Sequence, residues 1–146
     1  LDIYGPIEDL EYWHKVKYTF QNIENYNNKL KINYRGSIKY NKYKILNRYN
    51  FFILLSDSEN FGHVIFEAIQ SKCIPIITKN SSWTQLHTLG CGLFLNKNDK
   101  LASIKIKKFI FKVKRKPKIV ENKLEQIIKN NYFKQSKINY KKLFDN

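Results

Sequence analysis

The chain has 146 residues, 42% of them hydrophobic, and a formal net charge of +15. That length and apolar content suffice for a buried core and exclude a chain disordered throughout, while no apolar run approaches the roughly 18 residues a membrane-spanning helix needs. The charge suggests an anionic partner, but the lysines are spread through every segment. Such spreading fits solvated faces and matches no nucleic-acid-binding motif, so no nucleic-acid partner is expected.

In chain order, residues 1–4 read as a short strand stopped by Gly5-Pro6. Leu10, Trp13, Val16, Phe20 and Ile23 recur every three to four positions, which predicts a helix over 7–26 and assigns Trp13 to its core face. Residues 30–34 alternate apolar groups with lysine, as a strand does, and Arg35-Gly36-Ser37 follows as a tight strand-end loop. A short basic helix is expected over 41–49. The continuous apolar run 51–55 predicts a buried strand.

A polar loop then leads to Gly62, after which Val64, Ile65, Ala68 and Ile69 fall on one helical face. Residues 74–78 read as a second buried strand. Residues 81–86 read as a polar loop with Trp83 as a partly buried anchor, and 90–95 as a last, glycine-flanked strand. Over 101–116 two patterns compete: Leu101, Ile104 and Phe111 fit a helix, whereas Phe109, Phe111 and Val113 alternate like a strand. Pro117 breaks either pattern, because proline disfavours helix in the residue before it. Val120, Leu124, Ile127 and Ile128 mark another amphipathic helix, and a basic tail ends the chain.

The stretch 51–78 is therefore strand, loop, helix, strand, the repeating unit of a parallel sheet flanked by helices. Ligands of such sheets sit beyond the carboxyl ends of the strands. A helix N-terminus facing that edge offers free N–H groups and the positive end of a dipole to phosphate. Glu59 and Glu67 bracket this turn. Cys73 and Cys91 are isolated, and no His, Cys, Asp or Glu cluster has metal-ligand spacing, so reduced core thiols and no metal are expected. A reducing compartment follows, and with it a cytoplasmic setting.

Glu59, seven residues and Glu67, with Phe61-Gly62 inside and Ala68 after, resemble the signature of the group 1 (family 4) glycosyltransferases. The wording Glu-Asn-Phe-Gly-His-Val-Ile-Phe-Glu-Ala is similar to the variant found in transferases of surface-polysaccharide synthesis. The resemblance implies a GT-B fold, of which this chain would be the C-terminal, Rossmann-like half. It implies a nucleotide-sugar-binding domain over 1–118 and a helical basic tail over 119–146, with the N-terminal acceptor domain absent. It also favours helix over 101–116.

For function the resemblance implies a retaining, metal-independent transferase without a cofactor. The donor would be a UDP-, GDP- or ADP-sugar, and the acceptor a glycan or a lipid-linked glycan. Glu59 is the implied catalytic-site carboxylate beside the transferred sugar. The main-chain amides of Phe61, Gly62 and His63 would meet the donor phosphates, Glu67 would accept bonds from the ribose hydroxyls, and Gly36, Ser37 and Ile38 would run beside the nucleobase. The arginine and lysine with which the family clamps the diphosphate have no counterpart in the matched stretch.

Read without the resemblance, each of these residues has a plainer role. Glu59 becomes an acid that complements the helix dipole, Glu67 joins His63 and Ser71 on a solvated face, and Gly36 is an ordinary turn glycine. Two other functions stay open on the sequence: a sugar-nucleotide-binding module that needs a partner chain, and a basic protein of nucleic-acid or membrane surfaces. The charge is compatible with peripheral contact at an anionic inner membrane face under the first reading as well.

Overall fold

The computed structural model describes residues 1–27, 29–56, 62–79, 83–96 and 98–144, with side chains up to 130. The chain forms two compact units, Leu1–Lys42 and Tyr43–Asn146.

The first unit holds β1 (Asp2–Ile3), α1 (Leu10–Tyr26) and β2 (Asn33–Tyr34). The strands pair in parallel, Asp2 opposite Asn33 and Ile3 opposite Tyr34. Asp9 starts α1, its carboxylate accepting a hydrogen bond from the amide of Tyr12 at 2.8 Å, the usual way an aspartate satisfies a first-turn donor. The helix period holds, but no residue of α1 is buried, and Leu10 and Ile23 are exposed. Two strands of two residues each are too small to cover a helix of 17 residues. Trp13 packs on Tyr34 and Phe20, at 4.7 and 6.4 Å between ring centroids, and lines a cavity of about 320 Å³ instead of filling a core.

The second unit carries the main core. Its elements are α2 (Lys42–Leu46), β3 (Phe51–Leu54), α3 (His63–Gln70), β4 (Ile74–Thr78), α4 (Thr84–Thr88), β5 (Leu93–Leu95), α5 (Ala102–Arg115) and α6 (Pro117–Phe144). The three strands form a parallel sheet in the order β3-β4-β5. Phe51 pairs with Ile74 and Leu54 with Ile77; Ile76 pairs with Leu93 and Thr78 with Leu95. The central strand β4 is buried from Ile74 to Ile77, as the unbroken apolar run requires when both faces are covered.

Ile65 and Ile69 of α3, Ile76 and Ile77 of β4, Leu86 of α4, Leu95 of β5, Phe109 and Val113 of α5, and Val120, Leu124 and Ile127 of α6 share one core. A smaller cluster joins Leu46, Ala68 and Cys73. The α/β architecture, parallel strands with flanking helices, is the Rossmann-like arrangement expected from the sequence.

The structure corrects three local expectations and decides a fourth. Thr84–Thr88 is a short helix where a polar loop is expected, with Trp83 just before it. Val64 stands at the edge of the apolar stripe of α3 and is 36% exposed. Trp13, assigned to the core face of α1, is only half-buried. Residues 102–115 are helical: Phe109 and Val113, one turn apart, are buried, while Phe111, which strand alternation would bury with them, is exposed. The helix stops at Arg115, Lys116 leaves helical geometry, and Pro117 opens α6, the first-turn position where its missing N–H is harmless.

Candidate functional site

The carboxyl edge of the three-stranded sheet is fixed by two hydrogen bonds beyond the ladders. The Thr78 hydroxyl donates to the carbonyl of Ser56 at 2.7 Å, tying the ends of β3 and β4. The Lys79 amide donates to the carbonyl of Leu95 at 3.0 Å, tying β4 to β5. Because α3 runs back to the start of β4, its N-terminus stands at this same edge.

Gly62 precedes α3 in the left-handed region, φ 62 and ψ 37, and as a glycine it has no side chain of its own with which to cap the helix. Its carbonyl accepts from the amides of Ile65 and Phe66 at 2.9 and 3.0 Å, closing the first turn. Glycine is needed here twice over. A side chain is disfavoured at this φ, and a Cβ would lie 2.4 Å from Nε1 of Trp83 and 3.1 Å from Cδ1 of Ile65. The Trp83 ring stacks on Phe66, centroids 6.0 Å apart and planes inclined by 24°. Trp83 is thus partly buried, as expected, but it is packed on the start of α3.

Nε1 of Trp83 is buried and has no hydrogen-bond partner, the one such side-chain atom among the described residues. An indole N–H is a donor only, and leaving one unsatisfied costs about 1–3 kcal/mol. Buried donors without acceptors are rare enough in folded proteins to call for an explanation by strain, water or function. Sequence reasoning missed this placement. The available signal was a tryptophan just beyond the carboxyl end of a buried strand, in a segment taken as a loop.

His63 and Glu67 are one turn apart on α3, so they share a face. His63 is exposed, Glu67 half-buried and Ser71 buried, so this face passes from open to covered along the helix instead of being solvated throughout. The Ser71 hydroxyl and amide both donate to the Glu67 carbonyl, at 2.8 and 3.0 Å. Glu59 and Phe61 lie outside the described residues.

Gly36, Ser37 and Ile38 belong to the first unit, directly after β2. Gly36 has φ +72 with open space around its Cα, and its carbonyl accepts from the Gly5 amide at 3.1 Å. The Tyr34 hydroxyl donates to the Gly5 carbonyl at 2.7 Å. The two glycine turns that end β1 and β2 are therefore tied together at the carboxyl edge of that sheet. The structure brings Gly62, His63 and Glu67 together on one helix, and holds Gly36, Ser37 and Ile38 on the other unit.

Among the described residues no group of three His, Cys, Asp or Glu side chains could hold a metal ion. Cys73 and Cys91 are free and buried. Burial pushes the Cys73 thiol up to about 11 and raises that of Cys91, so neither is an activated nucleophile.

Residues 1–142 match the family described as glycosyl transferases group 1. The chain belongs to that family. No curated protein and no solved structure matches it. In this group 1 glycosyltransferase the match spans the first unit and the second as far as residue 142. Members of the family transfer sugars between a donor and an acceptor. No helix among the described residues is long and apolar enough to cross a membrane.

Proposed function

We propose that this chain is the donor-binding half of a retaining glycosyltransferase that takes a sugar from a nucleotide-sugar. The family match carries sugar transfer. The geometry that supports the donor site is the start of α3: a left-handed glycine, which has no side chain of its own to cap the first turn, and a buried indole N–H lacking an acceptor, side by side. In a nucleoside diphosphate, the diphosphate is the acceptor-rich anion that such donors attract.

Transfer breaks the bond between the anomeric carbon and the diphosphate, so negative charge grows on the leaving group. Main-chain amides of Phe61, Gly62 and His63 would meet that charge without reorganising, which is how fixed dipoles lower a barrier. Glu67, an acceptor when ionised, would take both ribose hydroxyls. Glu59 would bond the hydroxyls of the transferred sugar, and Gly36, Ser37 and Ile38 would run along the base. This reading assigns no metal and no cofactor. UDP-, GDP- and ADP-sugars are the candidate donors. The acceptor would be a glycan or lipid-linked glycan of a surface polysaccharide, met at the cytoplasmic membrane face.

Ligand-observed NMR with UDP, GDP and ADP, each beside its nucleoside, tests the reading. We expect one diphosphate to bind, its nucleoside to bind more weakly, and Glu67→Ala to weaken the diphosphate. A chain that responds to none of the three would overturn it.

A further inference from the structure

Helix α5 has two apolar faces, and the core uses one of them. At about 100° per residue, buried Phe109 and Val113 lie on one side, and Ile104 and Phe111 fall close to 180° away. Ile104 is 48% exposed and Phe111 63%; Leu101, one turn before Ile104, is 55% exposed. A helix packed on a globular core normally turns a polar face outward.

The flanks of this outward stripe are basic. On the helical wheel Lys107 and Lys114 lie to one side of Ile104 and Phe111, and Lys108 and Arg115 to the other. Residues 101–116 contain six lysines, one arginine and no acid, although the chain has 12 acidic residues. Lys105 is paired, 2.5 Å from Asp99, whose carboxyl it holds below the usual range. Among the described residues no acid pairs with the other six cations. The Arg115 guanidinium lies over the Phe111 ring, 5.3 Å from its centroid. Near the C-terminal end of α5, Lys112 and Lys116 line a cavity of about 460 Å³ together with Lys123.

We propose that the outward face of α5 docks on an anionic lipid bilayer. Ile104 and Phe111 would enter the boundary between headgroups and acyl chains, with the flanking cations on the headgroup phosphates. A helix lying in the interface plane combines these parts: an apolar strip, basic flanks and attraction to anionic lipid. A single-stranded nucleic acid fits less well, because its sites are grooves that follow the backbone and offer rings for stacking, whereas Leu101 and Ile104 have none. The proposal takes its setting from the lipid-linked acceptor above, but its test contains no nucleotide, so the two readings fail separately.

The test is co-sedimentation of the 146-residue chain with vesicles of phosphatidylcholine alone or mixed with phosphatidylglycerol. We expect at least about 10-fold tighter binding to the mixed vesicles, weakening as salt rises. Reversing Lys107, Lys108 and Lys114 to Glu should weaken binding about 100-fold. Ile104→Ser with Phe111→Ser should weaken it about 10-fold, with circular dichroism unchanged because both side chains are outside the core. Reversing Lys29, Lys31 and Lys39 in the first unit removes the same charge and should change binding less than about 3-fold. Four results would each overturn the proposal: equal binding to neutral vesicles, no vesicle binding, equal loss from the two triple reversals, or tighter binding to single-stranded RNA that ignores the two serines.

Discussion

A Cβ on Gly62 would stand 2.4 Å from Nε1 of Trp83. The glycine before α3 and the tryptophan before α4 are therefore fitted to each other at the carboxyl edge of the sheet. Gly62→Ala should destabilise the fold by roughly 2–4 kcal/mol, combining a left-handed non-glycine with overpacking. In a Trp83→Leu background the clash with the indole is gone, and the cost should fall to about 1–2 kcal/mol, mostly from the backbone. Denaturant unfolding of the two singles and the double measures this coupling; purely additive values would disprove the contact.

Glu67 and Glu59 should separate in their ligand dependence. Losing hydrogen bonds to a charged carboxylate costs roughly 1.5–3 kcal/mol, so Glu67→Ala should weaken the preferred nucleoside diphosphate by about 10–100-fold. Glu59→Ala should leave that diphosphate within about 3-fold and weaken the sugar-bearing donor. Titration calorimetry with the diphosphate and its sugar conjugate distinguishes the two. If Glu59→Ala weakened the bare diphosphate just as strongly, its assigned place beside the sugar would be wrong.

Cys73 should make stability depend on alkaline pH. Its thiol is buried, and Sγ–H donates to the carbonyls of Leu46 and Tyr49 at 3.1 and 3.2 Å. Burial raises it from 9.0 to about 11 in the folded chain. The folded state then holds the proton more tightly than the unfolded state. This contribution is complete below pH 9.0 and is lost as pH rises toward about 11, a fall on the order of 2 kcal/mol. Stability of the wild type minus Cys73→Ala, followed by urea unfolding across that range, isolates it from tyrosines and lysines that titrate nearby. A difference that stays flat contradicts the burial.

Helix α6 should be an anchor of the second unit. It packs against α3, α4 and α5, and Leu124 lies in the shared core. Leu124→Ala should cost about 2–5 kcal/mol. Ile119, on the same helix but exposed, should tolerate alanine within about 0.5 kcal/mol. Thermal melts of the pair check this, and similar shifts for both would show that α6 is not packed as described.

Much of the second unit was legible in the sequence because its signals are local. Residues 74–77 form an unbroken apolar run, and β4, Ile74–Thr78, contains them. Ile65, Ala68 and Ile69 repeat at helical spacing and are buried. The ambiguous stretch 101–116 could not be settled by pattern alone, since Phe109, Phe111 and Val113 satisfy alternation. Packing settled it, because only Phe109 and Val113 meet the sheet. Val64 was misjudged for the same reason: helical spacing gives direction but not the width of the covering surface.

The paired-glutamate stretch, taken together with its flanking strands and their order, carried the resemblance to the group 1 glycosyltransferases that the family match bears out, because motif spacing and hydrophobic period are properties of neighbouring residues. Three things required the tertiary structure: that Trp83 closes on Gly62 with an unpaired N–H, that α1 lacks a core to cover its apolar stripe, and that Ile104 and Phe111 face away from the protein. Each depends on which surfaces distant segments bring together, and the pattern of one segment does not contain that.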